Sequence, residues 1–389
     1  MKQIYMDHGA TTPLHPEVIA LMTDVMKNVY GNPSSLHSFG REAKKYVDEA
    51  RQKVADLIGA KFEEIYFTSG GTESDNIAIL GAAYGNSKKG KHVITSSVEH
   101  HAVLDPCHQL EKSGYELTVL PVDQYGMVDP EQVKEAIRDD TVLITIMHAN
   151  NEVGTIQPVE EISKIAKEKG VFLHTDCVQS VGKIPVNVDA LGADLLTFSS
   201  HKIYGPKGMG VLYKRKGVRV QPLVYGGGQE RKIRSGTENT LGIIGFGKAA
   251  EIAARDLETE NIRVKALRDR LIKGVLDKIP HTCLNGHPEK RLPHNAHFSF
   301  AYVEGESLLL SLDMKGIAVS SGSACSSTSL QASHVLTATG LAQELVHGSV
   351  RFTLGRDNTE EDIDYVLGVL PEIVARFRSF SPLVGQKVL

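Results

Sequence analysis

Along the chain, short and nearly continuous apolar runs alternate with stretches whose apolar residues recur every three or four positions. The runs at 92–97, 142–148, 171–176, 195–199 and 210–214 lack the in-out alternation of a half-solvated sheet, which predicts strands buried on both faces. Between them, 41–58 places Ala43, Val47, Ala50, Val54 and Leu57 at helical spacing, and 159–169 follows the same period. A long stretch near 245–273, rich in Ala, Arg and Glu, predicts one extended helix leading into a smaller C-terminal part. The pattern as a whole predicts the α/β class, a mostly parallel sheet covered by helices. No internal repeat or low-complexity tail interrupts it.

Composition agrees. With 389 residues, 41% hydrophobic and 23% charged, the chain can bury a full core and is expected to divide into two domains. A net charge of -4 leaves no electrostatic footprint for nucleic acid. No apolar run approaches the roughly 20 residues of a membrane span, and Met1-Lys2-Gln3 opens no secretory core. A soluble, cytoplasmic protein is therefore expected, with no membrane partner. Cys107, Cys177, Cys283 and Cys325 form no CxxC pair, so neither a disulfide frame nor a thiolate metal site is expected.

Candidate chemistry gathers where apolar runs end. Asp194-Leu195-Leu196-Thr197-Phe198 runs into Ser199-Ser200-His201-Lys202, and a lysine at a strand end can form a Schiff base with an aldehyde cofactor. A surface lysine after a strand would read the same way. Upstream, Phe67-Thr68-Ser69-Gly70-Gly71-Thr72-Glu73-Ser74-Asp75-Asn76 passes from a β-rich run through two glycines into a helical pattern, which makes a phosphate cup. It is neither a nucleotide P-loop nor a dinucleotide fingerprint. The simpler alternative is a turn in which Thr72 or Ser69 serves only as helix cap. The run 171–176 ends in Asp176, with Gln179 just beyond; the carboxylate could pair with a protonated pyridine nitrogen or merely cap the next helix.

These strand ends, taken with Tyr5-Met6-Asp7-His8-Gly9-Ala10-Thr11-Thr12-Pro13, Gly31-Asn32-Pro33-Ser34-Ser35, Arg234-Ser235-Gly236-Thr237-Glu238-Asn239, Ser320-Ser321-Gly322-Ser323-Ala324-Cys325 and Val350-Arg351-Phe352, resemble the pyridoxal-phosphate enzymes of the aspartate-aminotransferase superfamily. More narrowly the chain is similar to the class-V cysteine desulfurases of the NifS/IscS type, over nearly its whole length. The resemblance implies fold type I with a smaller α+β C-terminal domain. It divides the chain into 14–258 as the large cofactor domain, and 1–13 with 259–389 as the smaller one. It implies pyridoxal 5'-phosphate as cofactor, with Lys202 as Schiff-base lysine, Asp176 on the ring nitrogen, Gln179 on the ring oxygen and His100 stacked on the ring. Gly71, Thr72, Ser199 and His201 match the phosphate groups, with Thr237 supplied across a homodimer. Asn151 and Arg351 match the holders of the substrate carboxylate, and Cys325 the thiol that takes sulfur from L-cysteine as a persulfide, leaving L-alanine. The implied acceptors are an iron-sulfur scaffold protein of the IscU/NifU kind and tRNA-thiolation enzymes.

The run Ser320 to Ser329 is small and polar, which predicts a mobile segment, about 320–334, able to carry sulfur outward from Cys325. Cys177 stands where the family usually has a small residue, and a buried small-hydrophobe role is expected for it. His8-Gly9 also departs from the expected pair. Gly226-Gly227-Gly228 is expected to shape the dimer-side wall of the pocket rather than to bind nucleotide. Cys283, His287, His294 and His297 resemble a ligand series, but a strand over the last two would point them to opposite faces, so no metal is expected. A related lyase, an aminotransferase, or a cofactor-bearing docking platform remain the rival readings.

Overall fold

A seven-stranded sheet forms the centre of the larger part of the molecule in the computed structural model, which describes residues 2–321 and 332–382. In chain order its members are β2 (Ile65–Thr68), β3 (His92–Ser96), β4 (Glu116–Leu120), β5 (Thr141–Thr145), β6 (Phe172–Asp176), β7 (Leu195–Ser199) and β8 (Gly210–Lys214). They lie in the order β2-β8-β7-β6-β5-β3-β4. Only β8 runs against its neighbours. The carboxyl ends of β2, β3, β5, β6 and β7 therefore share one edge, where ligands bind in sheets of this kind.

The physical basis is the one the pattern suggested. Every residue of β3, β5 and β7 is buried, and helices cover both faces. Differences from the expected bounds have local causes. The helix expected from 41 begins at Ser38, because His37 Nδ1 accepts the Gly40 N–H at 3.2 Å and caps it. The strand expected to reach 148 closes its ladder at Thr145, because β3 has ended at Ser96; beyond it the N–H groups of Ile146 and His148 donate to the β6 carbonyls of His174 and Asp176. The cup helix, Gly71–Gly85, has Gly70 as its cap, so the alternative in which Thr72 or Ser69 caps it does not hold.

A second sheet is antiparallel, in the order β12 (Ser349–Thr353), β10 (Asn295–Phe300), β9 (Thr282–Leu284). Phe298, Phe300 and Phe352 pack there against Leu271, Leu308 and Leu370, in a core separate from that of the large sheet. One helix, Thr240–Lys278, joins the two. Its first half sends Ile243, Phe246 and Ala250 into the first core, and its second half sends Leu267, Leu271 and Val275 into the second. At 39 residues it spans about 58 Å at 1.5 Å per residue. The N-terminal strand β1 (Ile4–Tyr5) pairs in parallel with β11 (Ile317–Ala318), and Ile4 and Met6 are buried in the second core. The chain then crosses to the Lys202 turn, where Thr12 N–H donates to the His201 carbonyl at 3.0 Å. Among the described residues no helix is long and apolar enough to cross a membrane, and no group of three or more His, Cys, Asp or Glu could hold a metal ion.

Candidate active site

A cavity of about 910 Å³, measured with its open mouth, lies at the shared strand edge. Gly71, Thr72, His100, Asn151, Asp176, Gln179, Ser199, His201, Lys202 and Arg351 all line it. Residues separated by up to 280 positions are thus brought together by the order of strands and by the crossing of the N-terminal segment. Thr237 is not among them; it is exposed in this chain. Cys325 lies outside the described residues, as does most of 320–334. The two flanks of that span are anchored at the cavity. Ser320 and Arg351 exchange backbone hydrogen bonds at 3.2 and 2.7 Å, and His334 Nε2 meets the Glu99 carbonyl at 3.0 Å.

The cup is tight because its glycines are hemmed in. A Cβ on Gly71 would come to 2.8 Å from Val178 Cγ2, and one on Gly210 would collide with the Gly70 backbone. Glu73 fixes the turn from the side, accepting the Ser69 N–H at 2.6 Å and pairing with Arg234 at 2.9 Å. Facing this helix start, Ser199 Oγ is fully buried and has no hydrogen-bond partner. Unpaired N–H groups in a helix first turn beside an orphaned hydroxyl fit a phosphate.

Lys202 follows β7 in a single turn of 3₁₀ helix, and its Nζ donates to the carbonyls of Gly9 and Ala10 at 2.5 and 2.8 Å. Gln179 Nε2 reaches the same Gly9 carbonyl at 3.1 Å. His100 caps the helix His101–Lys112, its Nδ1 accepting the Ala102 N–H at 3.0 Å. Burial, helped by the nearby Lys202 charge, lowers this imidazole to about 4, so it is neutral with its proton on Nε2.

At the end of β6, Asp176 Oδ1 accepts the Val178 N–H at 2.8 Å, so the capping alternative describes one real contact of this carboxylate. The rest of its surroundings point elsewhere. Burial raises Asp176 to about 6 and raises Asp75 well above the carboxylate range, the two acids opposing each other. Asp75 takes a hydrogen bond from Thr197 Oγ1 at 2.5 Å and lies 3.5 Å from His174 Nε2, whose ring burial keeps neutral at about 3. Glu99, pushed up to about 8 by burial, accepts the Ser96 hydroxyl at 2.6 Å and the Met147 N–H at 3.0 Å. A buried, acid-rich floor fits a protonated heterocyclic nitrogen. Asp75 and His174 lie within stretches read above and Glu99 directly before His100, yet nothing in their spacing marks them as members of one cluster.

On the opposite rim, Arg351 in β12 is 2% exposed. Its guanidinium meets Asp7 at 3.2 Å and donates to the Asn151 carbonyl at 2.9 Å, while its Nε is buried without a partner. Asp7 is a further residue that sequence reasoning passed over. Cys177 is fully buried, and desolvation drives its thiol far upward, which suits a small hydrophobe. Gly226 to Gly228 line no part of the cavity within this chain.

A strand-end lysine, a buried acid and a hydroxyl-faced helix start on one parallel edge define a pyridoxal-phosphate enzyme of fold type I. The aminotransferase class-V family matches residues 4–366, and the chain belongs to it, among the cysteine desulfurases of the NifS/IscS type. It is 58% identical to the cysteine desulfurase IscS of Dictyoglomus turgidum over 98% of this chain and 97% of that one. Among solved structures it superposes on a NifS-like protein with a TM-score of 0.91 at 39% identity, covering 96% of this chain and 100% of the other. It also matches SspA in complex with cysteine, with a TM-score of 0.81 at 35% identity over 91% of this chain and 99% of that one. The cofactor is pyridoxal 5'-phosphate, and the orphaned Ser199 hydroxyl and the buried acids of the floor fit its two polar ends.

Proposed function

We propose that this protein converts L-cysteine to L-alanine and passes the sulfur through Cys325 to an iron-sulfur scaffold protein, with tRNA-thiolation enzymes as further acceptors. The observation that carries this reading is the single cavity in which Lys202, Asp176, His100 and the Gly71–Thr72 cup face the buried guanidinium of Arg351. When bound, the cofactor supplies an electron sink for negative charge at the substrate's α-carbon. Asp176, backed by Asp75 and Glu99, would hold a proton at the cofactor's ring nitrogen, and Gln179 would donate a hydrogen bond to its ring oxygen. Gly71, Thr72, Ser199 and His201 hold the phosphate, and Thr237 reaches the other protomer's site in a homodimer.

Lys202 would hold the cofactor, and its Nζ would hold and move the α-proton. The neutral His100 ring presents an apolar face for stacking and an Nε2–H for proton traffic. Arg351 and Asn151 hold the substrate carboxylate; to do so Arg351 must loosen its contact with Asp7. The Cys325 thiolate attacks the substrate sulfur, the C–S bond breaks, and the α-amino acid leaves as alanine while Cys325 keeps the sulfur as a persulfide. One cysteine and one enzyme thiol give one alanine and one persulfide, so atoms and electrons balance without an added oxidant. A thiol needs help to ionise near neutrality, and the flanks of its segment are tied to Arg351 and Glu99.

The test is incubation of the holoenzyme with L-cysteine and a thiol reductant, with alanine and sulfide quantified. Equal yields of both, lost in Cys325→Ala while the cofactor's visible spectrum persists, support the reading. Undiminished turnover in that variant would sink the persulfide route, and the absence of alanine would sink the substrate assignment.

A further inference from the structure

Behind the Lys202 turn lies a second cavity that none of this chemistry uses. Its walls come from both cores: Lys183, Tyr204, Ile252 and Leu257 from the large-sheet side, His294 and Leu354 from the side of the antiparallel sheet. With its open mouth included it encloses about 540 Å³, only a small part of it closed off from solvent.

The charges around it are unequally settled. Asp256 pairs with Arg255 at 2.7 Å and with Arg356 at 2.8 Å, and Glu260 pairs with Arg263 at 3.0 Å. Lys183 has no such partner among the described residues. Its ammonium rests 4.9 Å from the centre of the Tyr204 ring, and burial lowers it to about 8. Across the same space His294 is 2% exposed, and its Nδ1 is buried without a hydrogen-bond partner. Glu260 on the same wall acts on Lys183 only from beyond ion-pair distance. A cation outside ion-pair reach of any acid among the described residues and an imidazole Nδ1 without a partner are two independent signs of a missing ligand.

We infer that this cavity binds a small aliphatic carboxylate, its anionic head between Lys183 and His294 and its alkyl body against Ile252, Leu257 and Leu354. A single unpaired cation suits a monoanion, and the apolar walls select an organic one over inorganic phosphate. Ile203 follows Lys202 and Leu354 lies three residues beyond Arg351, so an occupant would brace the lysine turn against the arginine strand.

Isovalerate is a suitable probe, titrated into the holoenzyme while thermal unfolding is followed, with 3-methylbutan-1-ol and inorganic phosphate as controls. The expected result is a saturable rise in Tm with isovalerate alone. Lys183→Met should weaken the apparent affinity at least about tenfold, the loss of one charged contact. Ala253→Leu, which fills the space from another wall, should do the same and decides the matter if the first variant folds poorly. Arg351→Lys should keep the site. Absence of a saturable shift, or an equal shift with phosphate, would overturn the inference. So would a shift that survives Lys183→Met but is lost in Arg351→Lys, since the anion would then sit at the substrate arginine.

Discussion

On the floor of the active cavity Asp176, Asp75 and Glu99 are buried together, the Lys202 charge acting on Asp176 and the His174 ring beside Asp75 being neutral. On the rim, Arg351 is equally buried but meets Asp7 at 3.2 Å. With Asp75 and Glu99 pushed above the carboxylate range, the floor is a buried acid cluster that holds protons, kept in place by Thr197, Ser96 and the Met147 N–H. The rim holds a charge already paired, which an incoming carboxylate has to win from Asp7. A rigid, buried region suits a resident cofactor and acts on rate; an exchangeable pair suits a transient substrate and acts on affinity.

Breaking the floor should produce the largest effects. Lys202→Ala removes both the anchor and the proton-moving group, so turnover should fall about 10⁴-fold and the yellow absorbance of the lysine-bound cofactor should vanish. A normal spectrum after exhaustive dialysis would refute the assignment. Asp176→Asn keeps the shape but removes the charge, and kcat should fall about 10²- to 10³-fold with weaker cofactor retention. A change in KM alone would place Asp176 on the wrong side of the comparison.

The rim should respond differently. Arg351→Lys loses the planar fork, and with it a charge-assisted hydrogen bond of about 1.5–3 kcal/mol. KM for L-cysteine should rise about 10- to 100-fold while kcat changes little. An equal loss in kcat would show that the rim, too, acts only in the transition state.

The smallest effect sharpens the electrostatic account. His100 sits at about 4 in the fold, below its ordinary 6.5. The unfolded chain therefore takes up the proton first as pH falls. The stability attached to this ring is complete above 6.5 and is lost on acidification toward about 4. Replacing His100 with Asn should flatten the pH dependence of the denaturation midpoint across that window by at most one proton. An unchanged slope would mean the ring is charged in the fold.

Much of the cavity was legible because several of its residues end or directly follow apolar runs. Lys202 closes the turn after β7, Asp176 is the last residue of β6, and Gly71 opens the helix after β2. A strand end announces itself in one dimension. Asp75 and His174 do not, because they meet only through helix-to-strand packing and the β5-β6-β7 register, which sets Thr145 opposite His174 and Thr197 opposite Asp176. Gly70 as the cap was likewise hidden, since backbone conformation rather than a side chain does the capping there.

The sequence by itself determined the α/β class and the order of strand ends that carry lysine, acid and cup, since each follows from local period or contiguous motif. Only the tertiary structure decided which buried acids share the floor, that Asp7 holds Arg351, and that a second cavity opens behind Lys202. Those depend on which strands lie side by side and on the N-terminal segment crossing between two cores, contacts whose charges and hydrogen bonds exist only once distant segments exclude water together.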